Sequence, residues 1–211
     1  MFGYVAQVLN LPLPELYLRP DQQGGLAYAI TEPPASVVGA SLLSGYQPQD
    51  LTFVIAKHLS YYRSEHYVRW ITPTTAELRT LLLAGVKMAA PNFNLPPDPS
   101  GVIEQTAAAL TKGMSPVAYE DLGRVVRRFI EAGLAADLKK WMQAVELTAC
   151  RSGLLLCNDL EISARLIQQE PPSGGADMPV KDKLKELVLF SISEQYFRLR
   201  QTLGIAIASE G

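Results

Sequence analysis

Two segments of the sequence carry titratable side chains at spacings that could support chemistry. The first contains Lys57, His58 and Tyr61, and the second contains Glu146 and Cys150. Residues four apart share one face of a helix, which is the spacing that lets two side chains reach one bound metal ion. Lys57 and Tyr61 are nevertheless unsuited to a metal. A protonated lysine repels a dication, and a phenol with a pKa near ~10 is a poor zinc ligand at neutral pH.

The histidine content argues against several other catalytic arrangements. The chain has two histidines, His58 and His66. On one predicted helix they would lie about 12 Å apart along the axis, too far to share one zinc ion. Neither lies in a recognisable triad context, so no serine or cysteine nucleophile is predicted. We interpret His58 as a partly buried or surface residue and His66 as a residue at a helix end.

The segment 41–66 resembles the zinc site of the metallopeptidase family that includes the CAAX prenyl protease and the bacterial heat-shock membrane protease. In that family a strand and a leucine-rich stretch lead to a helix with H-E-x-x-H, and the proline-containing stretch 10–18 is similar to the family's lead-in. The resemblance implies that Lys57 stands at the first zinc ligand. It places His58 at the catalytic glutamate and Tyr61 at the second ligand.

A later predicted helix carries the second half of the resemblance. The family's third zinc ligand is a glutamate within E-x-x-A-D, and here Glu146 and Ala149 match while Cys150 stands at the aspartate. The resemblance covers roughly residues 9–166. It implies a zincin-like domain that keeps one ligand of three and has lost the supporting aspartate. We therefore expect no catalytic residue, no metal and no cofactor.

The retained Glu146 poses a problem of charge. If the implied fold holds, this carboxylate is buried, and a buried unpaired charge is costly. We predict that the Lys57 ammonium takes the place of zinc by pairing with Glu146, and that Tyr61 donates a hydrogen bond. The alternative is that Glu146 faces solvent and Lys57 extends outward.

Local patterns predict an α+β fold, mostly helical with a small three-stranded sheet. The predicted strands are 15–19, which should be half-buried, 26–30 and 36–39, with part of the sheet antiparallel. Proline positions, caps and apolar periodicity predict the helices. These are 2–10, 48–66, 75–89, 102–111, 116–131, 136–157, 160–169 and 181–202.

Composition bounds the class of protein. The chain has 211 residues, of which 48% are apolar and 19% charged, so we predict one folded domain over 1–211 with a mobile loop at 171–180. An apolar helical stretch directly after Met1 indicates that the chain is part of a longer protein. The formal net charge of −2 gives no electrostatic case for nucleic acid. The apolar runs are too short for membrane insertion.

The two cysteines favour a reducing compartment. Cys150 and Cys157 lie seven positions apart in one predicted helix, or about 10 Å, which is too far for a disulfide. We predict two reduced core thiols and a cytoplasmic location.

Two groups of side chains are candidates for a partner surface. One is the aromatic pair Tyr62 and Trp70, and the other is the basic group Arg124, Arg127 and Arg128. Core packing is the alternative for the aromatic residues, and a solvated helix face is the alternative for the arginines.

Two functions remain open from the sequence. The first is a catalytically inactive metallopeptidase-like domain that serves as a protein-interaction or scaffold module. Its partner would be another protein or the flanking domains of a larger chain. The second is a divergent metal-dependent hydrolase that binds a metal through Glu146 and non-standard ligands.

Overall fold

The structure is a computed structural model that describes residues 1–22, 24–31, 33–170 and 178–205. Within them lie three strands, β1 Glu15–Arg19, β2 Leu26–Ala29 and β3 Ala35–Gly39. The helices are α1 Phe2–Val8, α2 Ala40–Leu43, α3 Pro48–Ser60, α4 Ser64–Ile71, α5 Thr75–Ala89, α6 Val102–Gly113, α7 Pro116–Glu131, α8 Leu138–Cys157, α9 Leu160–Gln169, α10 Val180–Ser191 and α11 Glu194–Thr202. The predicted α+β, mostly helical fold with a three-stranded sheet is confirmed.

The sheet has the strand order β1-β3-β2. Strand β1 pairs with β3 in parallel, and β2 pairs with β3 antiparallel, so the predicted antiparallel part is confirmed. The central strand β3 is largely buried. The prediction that β1 is half-buried is wrong, because β1 is an edge strand and all five of its residues are exposed.

Two predicted helices are each divided in the structure. The predicted helix 48–66 ends at Ser60, and α4 begins at Ser64. The predicted helix 181–202 ends at Ser191, and Ser193 starts α11 by accepting a hydrogen bond from the Tyr196 amide. The sequence patterns predicted neither break.

The chain divides into two compact units. The first comprises Met1–Trp70 and the described parts of Gln143–Ser173 and Asp177–Gly211, and the second contains Ile71–Met142. The prediction of one domain over 1–211 stays a prediction. Of the predicted mobile loop 171–180, residues 171–177 lie outside the described residues, and Val180 is the first residue of α10.

The second unit is built on α5, α6 and α7. Thr74 caps α5 through a reciprocal capping box with Glu77. Ala84 and Met88 of α5 pack with Ala107 of α6 in a buried cluster, and Leu122 of α7 packs against it. These apolar contacts hold the three helices together.

In the first unit, α3 lies between two apolar clusters. On one side Phe53 packs in a cluster with Leu154 and Leu187, and on the other Leu59 packs with Val5 of α1. Gly153 of α8 allows the close approach of the Phe53 ring, because an added Cβ would lie 2.7 Å from that ring. Helix α3 is therefore buried on two sides, which positions its side chains for the site described below.

The predicted burial of two free thiols in the core is confirmed. Cys150 and Cys157 are both free and buried.

Among the described residues, no helix combines the length and the apolar character that a bilayer crossing requires.

Candidate functional site

Capping interactions fix the N-terminus of α3 and so the direction in which its side chains project. Pro48 occupies its first turn, and Asp50 forms a capping box with the residue before the helix. Asp50 is buried and also accepts a hydrogen bond from Arg165 of α9 at 2.6 Å. With its N-terminus held in this way, α3 brings Lys57 and the following turn at Tyr61 to α8.

Glu146 lies within α8 and is only 2% exposed. The Lys57 ammonium donates to its Oε1 at 2.8 Å, and the Tyr61 hydroxyl donates to its Oε2 at 2.5 Å. The predicted Lys57–Glu146 pair and the predicted hydrogen bond from Tyr61 are therefore confirmed. The alternative, a solvent-facing Glu146, is wrong.

Two further residues complete the arrangement around Glu146. Lys183 of α10 donates to Glu146 Oε1 at 2.8 Å. Glu170, which follows α9, accepts from Lys57 at 2.6 Å, and its Oε2 lies 3.8 Å from Lys183 Nζ. We call Lys57, Glu146, Glu170 and Lys183 the charge cluster. Its two ammonium groups and two carboxylates balance in charge.

Lys183 and Glu170 were not predicted from the sequence to belong to this site. Lys183 is 5% exposed, whereas the other two lysines of α10 are exposed. The sequence does indicate that Lys183 is buried. It lies four residues before the buried Leu187 and seven before the buried Phe190, on the apolar face of the helix. No comparable signal marks Glu170, whose position depends on where α9 ends.

Burial and charge act in opposite directions on the protonation of the cluster. Burial raises the pKa of Glu146, but the ammonium groups of Lys57 and Lys183 outweigh it and hold that pKa below its usual range. Burial lowers the pKa of Lys57, but the carboxylates of Glu146 and Glu170 outweigh burial and raise that pKa. The pair is therefore fully charged at neutral pH.

Cys150 completes the surroundings of Glu146. It lies one turn further along α8 and is fully buried, with its Sγ 3.8 Å from Glu146 Oε1. Burial raises the pKa of Cys150 to about 12, so the thiol is protonated at neutral pH. It is a weak donor to the carboxylate and contributes no negative charge.

The charge cluster does not fit a zinc ion. Both ammonium nitrogens lie 2.8 Å from Glu146 Oε1. A zinc ion bound to that oxygen at about 2.0–2.2 Å would meet two positive charges in a buried setting, where repulsion is poorly screened. In the described parts of the chain, no group of three or more His, Cys, Asp or Glu side chains is arranged to hold a metal.

His58 projects away from the charge cluster into an aromatic cluster, which we define as Tyr28, His58, Tyr62, Tyr67 and Trp70. Its ring stacks on Tyr28 with centroids 4.0 Å apart and planes at 15°. His58 is 6% exposed, so it is more deeply buried than the partly buried or surface position that we expected. Burial lowers the pKa of His58 to about 3, which keeps the imidazole neutral.

The structure pairs a serine with His58, which the sequence analysis did not anticipate. Ser36 Oγ of β3 lies 2.9 Å from both His58 Nε2 and the Tyr62 hydroxyl, and that hydroxyl donates to the Ala35 carbonyl. One proton arrangement satisfies all three contacts. His58 donates to Ser36, Ser36 donates to Tyr62, and Tyr62 donates to Ala35. Because Ser36 is fully buried and its hydroxyl proton is engaged, this pair does not offer an exposed nucleophile.

The remaining predicted residues lie apart from the charge cluster. His66 lies on α4, not on the helix of His58, and its Nδ1 is 3.0 Å from the Ser60 carbonyl. Tyr62 and Trp70 are half-buried members of the aromatic cluster. The other candidates for a partner surface, Arg124, Arg127 and Arg128, are exposed on α7 in the second unit.

The charge balance predicts the effect of removing one ammonium group. We expect Lys57→Met to lower the free energy of unfolding by about 3 kcal/mol or more, because it leaves one buried carboxylate without compensation. Adding Glu170→Gln to this variant should recover about 1 kcal/mol or more by restoring neutrality. Chemical denaturation would measure both effects.

The matched control is Lys185→Met, which alters an exposed lysine of α10. It should change stability by no more than about 0.5 kcal/mol. A change of that size for Lys57→Met as well would contradict the assigned cluster.

The low pKa of His58 predicts a loss of stability on mild acidification. The unfolded chain binds a proton at its ordinary pKa of 6.5, but the folded chain binds it only near 3. The stability contributed by the neutral imidazole is therefore complete above pH 6.5 and declines as the pH falls toward 3. Between pH 7 and about 5, the loss should be about 2 kcal/mol.

Denaturation of two single variants over this range identifies the responsible group. The chain contains two histidines. His58→Gln should abolish the loss between pH 7 and 5, and His66→Gln should preserve it. Glu146 contributes mainly at lower pH, because its carboxyl in the unfolded chain is half-protonated at pH 4.5. An unchanged pH dependence in His58→Gln would refute the assignment.

Comparisons with known proteins returned no match. No protein-family model matches the chain, and neither a curated protein nor a solved structure does. The metallopeptidase resemblance therefore rests on the motif residues within 9–166.

Proposed function

We propose that this chain is a non-catalytic, metallopeptidase-like domain that serves as a protein-interaction or scaffold module. The observation that carries the proposal is the state of Glu146, the one residue that matches a zinc ligand of the resembled family. Its Oε1 accepts from Lys57 and Lys183, and its Oε2 accepts from Tyr61. A metal would have to displace these protein donors to reach the carboxylate.

The same contacts favour a structural rather than a catalytic purpose. Lys57 and Glu146 are strongly buried, and the opposite charges around them raise the pKa of Lys57 and lower that of Glu146, so both stay charged. A lysine that acts as a nucleophile or base needs a lowered pKa, whereas the pKa of Lys57 is raised. These properties favour a structural role for the charge cluster in the interior. The residues that bind a partner would then lie on the surface of the domain.

Helix α7 offers the best surface for a protein partner. Arg124, Arg127 and Arg128 are exposed there, and Val117 and Val125 are 69% and 64% exposed on the same helix. Exposed arginines beside apolar side chains are typical of interaction surfaces, and they favour a partner with acidic groups. Tyr62 and Trp70 are weaker candidates, since both have contacts within the aromatic cluster.

Location and other partners follow as parts of the proposal. Two buried free thiols fit a reducing compartment, so we place the chain in the cytoplasm. The formal net charge of −2 does not favour nucleic acid as the partner. The partner would be a separate protein or a flanking domain of a larger chain.

Metal content tests the catalytic half of the proposal. We expect purified protein exposed to zinc and then desalted to retain well under one zinc per chain by elemental analysis, because two ammonium groups occupy the carboxylate. One retained zinc per chain, lost together with peptide hydrolysis in Glu146→Gln, would establish the divergent hydrolase instead.

Charge reversal on α7 tests the interaction half. We expect a variant with Arg124, Arg127 and Arg128 each changed to Glu to lose a protein that wild type captures from cell extract, by about tenfold or more in quantitative mass spectrometry. The control variant changes the exposed Lys112, Lys181 and Lys185 to Glu, with the same change in net charge, and should keep that protein. Equal capture by both variants would remove α7 from the proposal.

A further inference from the structure

Strand β1 is an open edge of the sheet. It pairs with β3 on one side, and among the described residues no strand pairs with its other side. Leu16, Tyr17 and Leu18 are 42%, 48% and 63% exposed. Native proteins usually protect such an edge with charges, a proline or a bulge, because its free N–H and C=O groups invite another strand. Here the charges and prolines lie at the two ends of the strand, and its three central residues are exposed and largely apolar.

The ends of β1 limit how another strand can pair with it. Pro14 precedes the strand and Pro20 follows it, and neither can donate a backbone hydrogen bond. Both prolines lie three residues from Tyr17. Pairing is therefore confined to Glu15–Arg19, and the centre of the permitted segment is Tyr17.

The five residues of β1 are complementary to themselves in one orientation. In an antiparallel pair centred on Tyr17, Glu15 faces Arg19 of the second copy, and Leu16 faces Leu18. Glu15, Tyr17 and Arg19 share one face of the strand and the two leucines share the other, so charges meet opposite charges and apolar residues meet apolar ones. A parallel pair in the same register would instead set like charges side by side.

We propose that two copies of this chain associate through antiparallel pairing of their β1 strands, which joins their sheets across a twofold axis. The partner is a second copy because both ends of the strand complement each other, a match that an unrelated peptide would have no reason to reproduce. This association is independent of the proposed function, because β1 contributes no residue to the charge cluster.

Existing contacts of β1 do not oppose the pairing. Arg19 pairs with Asp21 at 3.0 Å, and the Tyr17 hydroxyl donates to Glu15 at 2.5 Å. These exposed contacts can exchange for contacts across the new interface at little cost. Five residues from each copy form a small interface, so we expect a dissociation constant on the order of tens of micromolar.

Charge reversal distinguishes this pairing from other modes of association. Glu15→Arg places arginines opposite Arg19, and Arg19→Glu places glutamates opposite Glu15. We expect each variant alone to dissociate at least about tenfold more readily than wild type in sedimentation equilibrium. An equimolar mixture should associate at least as well as wild type, because each variant then complements the other.

The control pair is Glu161→Arg and Arg198→Glu, which make the same charge changes at exposed helical positions. Alone or mixed, these variants should associate like wild type. A wild type that stays monomeric up to about 500 µM, single variants that associate like wild type, or a mixture that does not recover would each overturn the proposal.

Disulfide formation gives a second measurement of the register. Tyr17→Cys should form a covalent dimer under mild oxidation, because residues facing each other across the axis have Cα atoms about 4.5–5.5 Å apart. Leu18→Cys should not, since it faces Leu16 of the second copy. Equal cross-linking of both variants would contradict the Tyr17-centred register.

Discussion

The burial of one carboxylate, Glu146, is the constraint on which the first unit depends. An isolated buried carboxylate costs several kcal/mol, so this position requires compensation from elsewhere in the chain. Lys57 comes from α3, Lys183 from α10, and Glu170 follows α9. Residues separated by up to 126 positions in sequence are therefore brought to one point by charge as well as by apolar packing. Each ammonium group has two carboxylates within reach, so neither charge depends on a single partner.

The turn after α3 joins this cluster to the sheet. Lys57 and Tyr61 contact Glu146, while His58 and Tyr62 contact Ser36 of β3. Two pairs of residues at i and i+4 thus serve two different sets of contacts from one helix and its C-terminal turn. A shift of α3 would disturb both sets together, and this coupling explains why polar groups in the interior can specify the position of one helix.

The sequence predicts structure well where the effect of a residue is local or follows from its charge and motif position. The strands were predicted to within one residue at each end. The Lys57–Glu146 pair followed from the positions that the metallopeptidase resemblance implies, together with the cost of an unpaired buried carboxylate. The sequence does not predict the position of a residue or a helix end where that position depends on tertiary structure. Glu170 joins the cluster only because α9 ends beside Lys57, and the break between α10 and α11 depends on the Ser193 cap. The exposure of β1 depends on strand order, which its own residues do not reveal.

An ammonium group and a metal ion compensate a buried carboxylate in different ways. A catalytic zinc site keeps one coordination position open for water or substrate, and its metal is exchangeable. A lysine is covalently part of the chain, and both oxygens of Glu146 accept hydrogen bonds from protein donors. The compensation is therefore part of the chain itself and does not depend on an exchangeable ion. Binding by such a domain would depend on its exterior, where the arginines of α7 and the open edge of β1 expose charged and apolar groups to solvent.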